Sequence, residues 1–218
     1  MAQRPRMNRI HLQTGIRNLI NDSKDFLTAR TATSPRAAGD AIEGIIGGGL
    51  AGLLGPFCID YRGTFPRRAM EDIAFTGGDG KYYVVDVKTH RNDTRFNMPN
   101  LISVERLARF YENDDKVFIV LLISYGVSGN RATVTAVTFV PIEFLHWDCL
   151  RIGALGWGQI QLANANAVTI RDGYLRKHWM LELCDAMLAF YPGEIAKTRR
   201  RVDRFRQVQT FWQQRRDR

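Results

Sequence analysis

The chain has 218 residues, 45% hydrophobic and 24% charged, which is ordinary for a globular domain and enough for one core without cross-links. Global disorder and fibrous architectures are excluded. The net charge is +9, and residues 197–218, with Lys197 and eight arginines against Asp203 and Asp217, carry +7 of it. A basic C-terminal segment on a near-neutral body suggests contact with a polyanion. The alternative is a solvated basic helix.

In chain order, Ile10, Ile16, Ile20, Phe26 and Leu27 have helical spacing and predict a helix over 7–29. With the basic residues Arg4, Arg6, Arg9 and Arg17, residues 1–36 read as an N-terminal helical arm. A second helix is expected over 37–54, weakened and kinked by Gly47, Gly48 and Gly49. The apolar stretch 41–58 is broken by Glu43, six glycines and Pro56, so no membrane span is expected. Cys58, Cys149 and Cys184 show no metal spacing and an odd count. This points to a reducing, cytoplasmic setting, with Cys149 and Cys184 in the core.

From Ile73 the period changes to that of strands. Residues 73–75 and 82–87 flank Thr76-Gly77-Gly78-Asp79-Gly80-Lys81, strong turn chemistry. Asn100 is a good N-cap for a helix running to about Tyr111. Residues 116–125 and 132–140 read as strands, 141–145 as a short helix, and 155–161 as a Gly/Trp-rich loop entering a strand. Two terminal helices, 171–190 and 193–214, are expected to break at Pro192. The order predicts one α/β domain: a central mixed β-sheet flanked by helices, with 37–162 as its core and helices over 171–218.

The hairpin carries the chemistry. A turn centred on Asp79 sets Ile73 opposite Val85, Ala74 opposite Val84, and Asp72 opposite Asp86. Directly opposed residues have Cβ atoms about 5 Å apart. Two carboxylates so placed repel unless a cation lies between them, and a divalent ion with a preference for oxygen suits them. Lys88, two residues past Asp86, projects from the same face, whereas Val85 and Val87 point into the core. An acid inside the apolar run Tyr-Tyr-Val-Val-Asp-Val-Lys breaks the strand pattern, and such breaches tend to be functional. A solvated strand face is the plainer reading of Asp-x-Lys alone.

Asp72-Ile73 followed by Asp86-Val87-Lys88 resembles the split acid/lysine motif of the PD-(D/E)xK nuclease superfamily. The likeness to its type II restriction endonucleases extends over roughly 37–162. It is carried by Ala37-Ala38-Gly39-Asp40-x-x-Glu43, by Asp86-Val87-Lys88-Thr89 followed by Pro99-Asn100-x-Ile102-Ser103, and by Gln159-Ile160-Gln161. The motif's usual proline is here Glu71. The resemblance implies a restriction-endonuclease-like fold and a homodimer that cleaves double-stranded DNA with Mg²⁺. Asp72, Asp86 and the Val87 carbonyl would hold the ion, and Lys88 would orient the attacking water. Glu43 is the assisting carboxylate, or else a simple surface glutamate. Base and backbone contacts would fall to Thr89, Arg91, Asn97, Asn100 and Gln159, with Arg199 and Arg200 on phosphates. His90 is expected at the surface and Trp157 in the core. No organic cofactor is implied. Two other classes remain: a structure-specific repair or junction nuclease of the same fold, and a DNA-binding module without catalysis.

Overall fold

The computed structural model describes residues 7–24, 26–66, 69–95 and 97–216; Arg4, Arg6, Asp217 and Arg218 of the basic termini lie outside them. Helix α1 (Arg9–Asp22) starts at Asn8, whose side chain accepts from the His11 amide. It stops at Ser23, whose hydroxyl bonds back to the Leu19 carbonyl at 2.8 Å. The expected helix over 7–29 is therefore too long. Leu27 is buried and Phe26 packs on the core, but both do so from an extended connection. A short α2 (Ala29–Thr33) follows, opened by a Thr28/Thr31 capping box.

Helix α3 (Pro35–Leu54) begins with Ser34 as N-cap and Pro35 in the first turn, where its missing N–H costs nothing. It runs unbroken through the three glycines expected to weaken it. Two of them permit close packing: a Cβ on Gly47 would lie 2.7 Å from the Gly63 carbonyl oxygen, and one on Gly49 would lie 2.5 Å from Leu19. The Tyr61 hydroxyl donates to the Gly47 carbonyl at 2.8 Å. Among the described residues α3 is the one helix long and apolar enough to cross a membrane. Its Ala38, Ile42, Ile46 and Leu50 stripe is buried in the core.

The strands are β1 (Cys58–Arg62), β2 (Ile73–Gly77), β3 (Tyr82–Arg91), β4 (Asn100–Ser103), β5 (Lys116–Ser128), β6 (Arg131–Pro141), β7 (Leu150–Gly153) and β8 (Gln159–Leu162). Helix α4 (Val104–Phe110) follows β4, and α5 (Arg176–Gln213) ends the fold. The main sheet has the order β1-β2-β3-β5-β6. Strands β3 and β5 run parallel, joined by the crossover through β4 and α4; the other neighbours are antiparallel. A second sheet has the order β4-β8-β7. The architecture is α/β with a mixed central sheet flanked by helices, as expected for a restriction-endonuclease-like fold.

Strand alternation assigns the two faces. Val85, Val87, Ile119, Leu121 and Ile123 pack with Leu12, Ile16, Ile42 and Ile46 of α1 and α3. Val84, Phe118, Val120 and Leu122 pack with Leu107, Ile160, Trp179 and Leu183 on the side of the small sheet. Trp179 anchors α5: it is fully buried, stacks on Trp147 at 5.1 Å, and donates from Nε1 to the Leu145 carbonyl at 2.9 Å.

Two expectations fail at the helix ends. Helix α5 is a single helix of 38 residues that passes through Pro192 rather than breaking there. Proline removes one backbone donor, and here the face is open: Leu188, whose carbonyl loses its partner, has an exposed side chain, so water can reach that group. Asn100 is not an N-cap but the first residue of β4; Ser103 precedes the helix instead. Pairing with β8, some 60 residues later, overrides the local capping signal.

Candidate active site and nucleic-acid interface

The β2–β3 hairpin has the expected register, Ile73 opposite Val85 and Ala74 opposite Val84. Its turn is locked by Asp79, which accepts from the Lys81 amide at 3.1 Å and the Tyr83 hydroxyl at 2.7 Å. Gly80 takes the positive φ, 84°, that the turn requires. This register brings Asp72 to Asp86. Asp72 lies just before β2, and its Oδ2 accepts from the Val87 amide at 2.7 Å. Asp86 and Lys88 leave β3 on the face toward the small sheet.

Lys88 Nζ donates to Asp86 Oδ1 at 2.6 Å and approaches the Val87 carbonyl at 3.3 Å. Asp86 is buried, and its Oδ2 has no hydrogen-bond partner among the described residues. Burial, and after it the nearby Asp72 and Glu43 carboxylates, push Asp86 up to about 7 against the pull of Lys88. Glu43, half-buried on α3, is raised by burial and then by Asp72. Burial alone lowers the Lys88 ammonium, but Asp86 and Asp72 outweigh it and the net shift is upward. Burial raises the two acids first and their mutual repulsion adds to it, whereas the neighbouring carboxylates raise Lys88 against burial.

The donor set fits a hard divalent ion. Two carboxylates and the Val87 carbonyl converge, and an orphaned buried carboxylate oxygen is available. Among the described residues no three His, Cys, Asp or Glu side chains form a full ligand set. Mg²⁺ suits so sparse a set, since it keeps several waters and uses one or two carboxylates.

Asp72, Asp86 and Lys88 line an open cleft of about 570 Å³, whose other walls include Ser103, Arg106, Trp157 and Gln159. Gln159, on β8, therefore shares this cleft with the acids and Lys88. Trp157, expected in the core, is 68% exposed at the cleft. The turn at 155–158, with Gly156 and Gly158 at positive φ, turns it outward. Arg106 is an addition to the expected set, since one arginine on a helix face carries no sequence pattern.

The small sheet presents a polar row. Asn100 pairs with Gln161, and Gln161 with Arg151 on the next strand. Gln161 Nε2 donates to Asn100 Oδ1 at 2.5 Å, while Ile160 and Leu162 turn inward. Gln161 ends the Gln159-Ile160-Gln161 segment already marked in the sequence, whereas Arg151 is an addition whose only signal is its register across strands distant in sequence.

The other expected residues are placed differently. Thr89 packs against α3, where a Cβ on Gly39 would lie 2.5 Å from its hydroxyl. Arg91 donates to the Ala32 carbonyl at 2.9 Å and pairs with Asp93 at 2.9 Å, tying the end of β3 to α2. Asn97 is half-buried, and its carbonyl accepts from the Ala165 amide at 3.0 Å. His90 is buried, not at the surface, and bonds to Asn166 at 2.7 Å, because β3 extends beyond Val87. Cys149 is buried as expected, whereas Cys184 is exposed. Arg199 and Arg200 stand exposed on the far half of α5. No protein-family model and no curated protein matches the chain.

Proposed function

We propose that this protein is a Mg²⁺-dependent type II restriction endonuclease that hydrolyses phosphodiester bonds of double-stranded DNA at a specific short sequence. The observation that carries this reading is the buried Asp86 carboxylate, half unpartnered, facing Asp72 beside Lys88 in an open cleft. A bound divalent ion supplies neutralisation of phosphate charge and acidification of a water molecule. Asp72, Asp86 and the Val87 carbonyl would hold it, with Glu43 assisting from α3. Lys88 orients the attacking water against the scissile phosphate. Water oxygen bonds to phosphorus as the bond to the 3′ oxygen breaks. The leaving oxygen takes a proton, giving a 5′-phosphate and a 3′-hydroxyl.

The cleft and the polar row divide the work of recognition. Trp157 offers a stacking surface, and Asn100, Gln159, Gln161 and Arg151 have the side chains that discriminate adenine and guanine edges. Arg199 and Arg200 contact phosphates. A two-fold dimer matches a palindromic site, since both present two identical halves. The natural setting is the cytoplasm, as part of restriction–modification.

Incubating mixed-sequence plasmid DNA with the protein and Mg²⁺, then sequencing the ends, tests this. Fragments ending at one short motif support it. Cutting only at branches or single strands would identify a structure-specific nuclease instead. Tight binding without cutting would leave a DNA-binding module.

A further inference from the structure

Helix α5 carries an apolar seam that the rest of the described chain does not cover. Trp179, Leu183 and Met187 bury one side of its first part. On another side Leu181, Leu188, Ile195 and Val202 recur every seven residues, and Phe205 and Trp212 continue the stripe. These six side chains are 46–71% exposed. Cys184, Tyr191, Thr198 and Gln209 fill the remaining places of the two positions, a and d, that face a partner in a coiled coil; Tyr191, half-buried and donating to the Trp157 carbonyl at 2.8 Å, marks the edge of the seam against the body. Thr198, Val202, Phe205 and Gln209 line a shallow groove flanked by Arg201 and Arg206. A strip of this length, about 46 Å at 1.5 Å per residue, is characteristic of an interaction surface.

The charge along the strip is polarised. Residues 181–195 hold Glu182, Asp185 and Glu194 and no base. Residues 197–212 hold Lys197 and five arginines against Asp203. Parallel pairing of two copies would set bases against bases, whereas antiparallel pairing sets each acidic half against a basic half.

We propose that α5 pairs antiparallel with α5 of a second copy of this chain. The helices meet a-to-d, with Ile195 against the partner's Thr198, Leu188 against the partner's Phe205, and Leu181 against the partner's Trp212. That register, which overlaps the two strips end to end, also sets Asp185 beside the partner's Arg206 and Glu194 beside the partner's Arg201; a slip of one heptad would set Glu194 against the partner's Glu194 or Arg201 against the partner's Arg201. Apolar spacing and charge placement are independent features of the sequence, and they agree on one register. Arg199 and Arg200 have no acid opposite them and stay open to other anions. The pairing would supply the two-fold dimer of the nuclease reading, but its argument uses neither the cleft nor catalysis, so each can fail without the other.

Sedimentation equilibrium of the full chain at tens of micromolar tests the pairing. The wild type should be a dimer, and the Val202→Glu/Phe205→Glu double variant a monomer with unchanged helical circular dichroism. Both side chains are exposed, so folding is not at stake. A monomeric wild type, as expected if the strip serves DNA or a lipid surface alone, or a variant that stays dimeric, overturns the proposal. Orientation is read with Gln209→Cys under copper–phenanthroline oxidation. A disulfide from Cys184 to the thiol introduced at position 209 of the partner is expected. Its absence, or a disulfide from Cys184 to the partner's Cys184, overturns the antiparallel register. Arg201→Glu/Arg206→Glu should weaken the dimer at least tenfold, and adding Asp185→Arg/Glu194→Arg should restore it; no restoration contradicts the assigned pairs.

Discussion

Lys88 Nζ lies 2.6 Å from Asp86 Oδ1, while the other oxygen of that carboxylate is buried with no partner among the described residues. A buried carboxylate only half satisfied costs folding free energy that an apolar side chain would not, and more than a neutral polar group in the same place. His90 Nδ1, Arg91 Nε and Trp147 Nε1 are likewise buried without a partner among the described residues, but Asp86 is the one carboxylate among them and it faces the cleft.

The first prediction concerns pH in the metal-free protein. Asp86 titrates near 7 in the fold because burial and two neighbouring acids oppose its charge, against an ordinary value near 3.8. A raised pKa contributes stability that is fully present below the ordinary value and is lost as pH rises through about 7. In EDTA the melting temperature should fall between pH 5 and pH 8. Asp86→Asn should flatten that fall and melt a few degrees higher at pH 8, at roughly 2–4 °C per kcal/mol for a chain of this size. Identical pH profiles for the two proteins would refute the assignment. Millimolar Mg²⁺ at pH 8 should raise the melting temperature of the wild type and leave the variant unmoved.

The second concerns packing. Trp179→Ala removes a fully buried indole, its stack on Trp147 and its bond to Leu145. A loss of about 3–5 kcal/mol is expected in urea unfolding. A loss below about 1 kcal/mol would mean that α5 is not anchored there.

How much of this is legible in the sequence depends on distance along the chain. The Asp79 turn and its register are local: Gly-Gly-Asp-Gly and alternating strands specify them, so the meeting of Asp72 with Asp86 follows. The α3 stripe is equally plain from its spacing. Asn100 misleads because a capping residue and a strand residue look alike until β8 arrives to pair with it. His90 and Trp157 exchange places for a similar reason. An extended β3 carries the histidine inward, and a glycine-rich turn carries the indole outward. At Pro192 a strong local rule gives way on an open helix face.

A third prediction separates stacking from stability. Trp157→Ala should leave the melting temperature within about a degree, because the side chain is exposed. Duplex binding should weaken roughly five- to hundredfold, the range of one base–aromatic contact. Unchanged binding would remove Trp157 from the interface.

A fourth reads the polar row. Gln161→Ala should relax sequence preference at one base pair by about 1–3 kcal/mol, with little change in the salt dependence of binding. Arg199→Gln/Arg200→Gln should do the reverse: the log–log salt slope falls by about one to two, and preference is kept. If both variants altered the same quantity, the division between row and helix would be wrong.

The most direct measurement compares plasmid cleavage by the wild type with that by Asp86→Ala in Mg²⁺, and duplex binding by both in Ca²⁺. The wild type should cut to discrete fragments with 5′-phosphate ends. The variant should bind DNA comparably and cut at least a thousandfold more slowly, the order of a lost metal-assisted step of about 4 kcal/mol. A wild type that binds but never cuts with any divalent ion, or an Asp86→Ala protein that cuts at the full rate, would contradict the account.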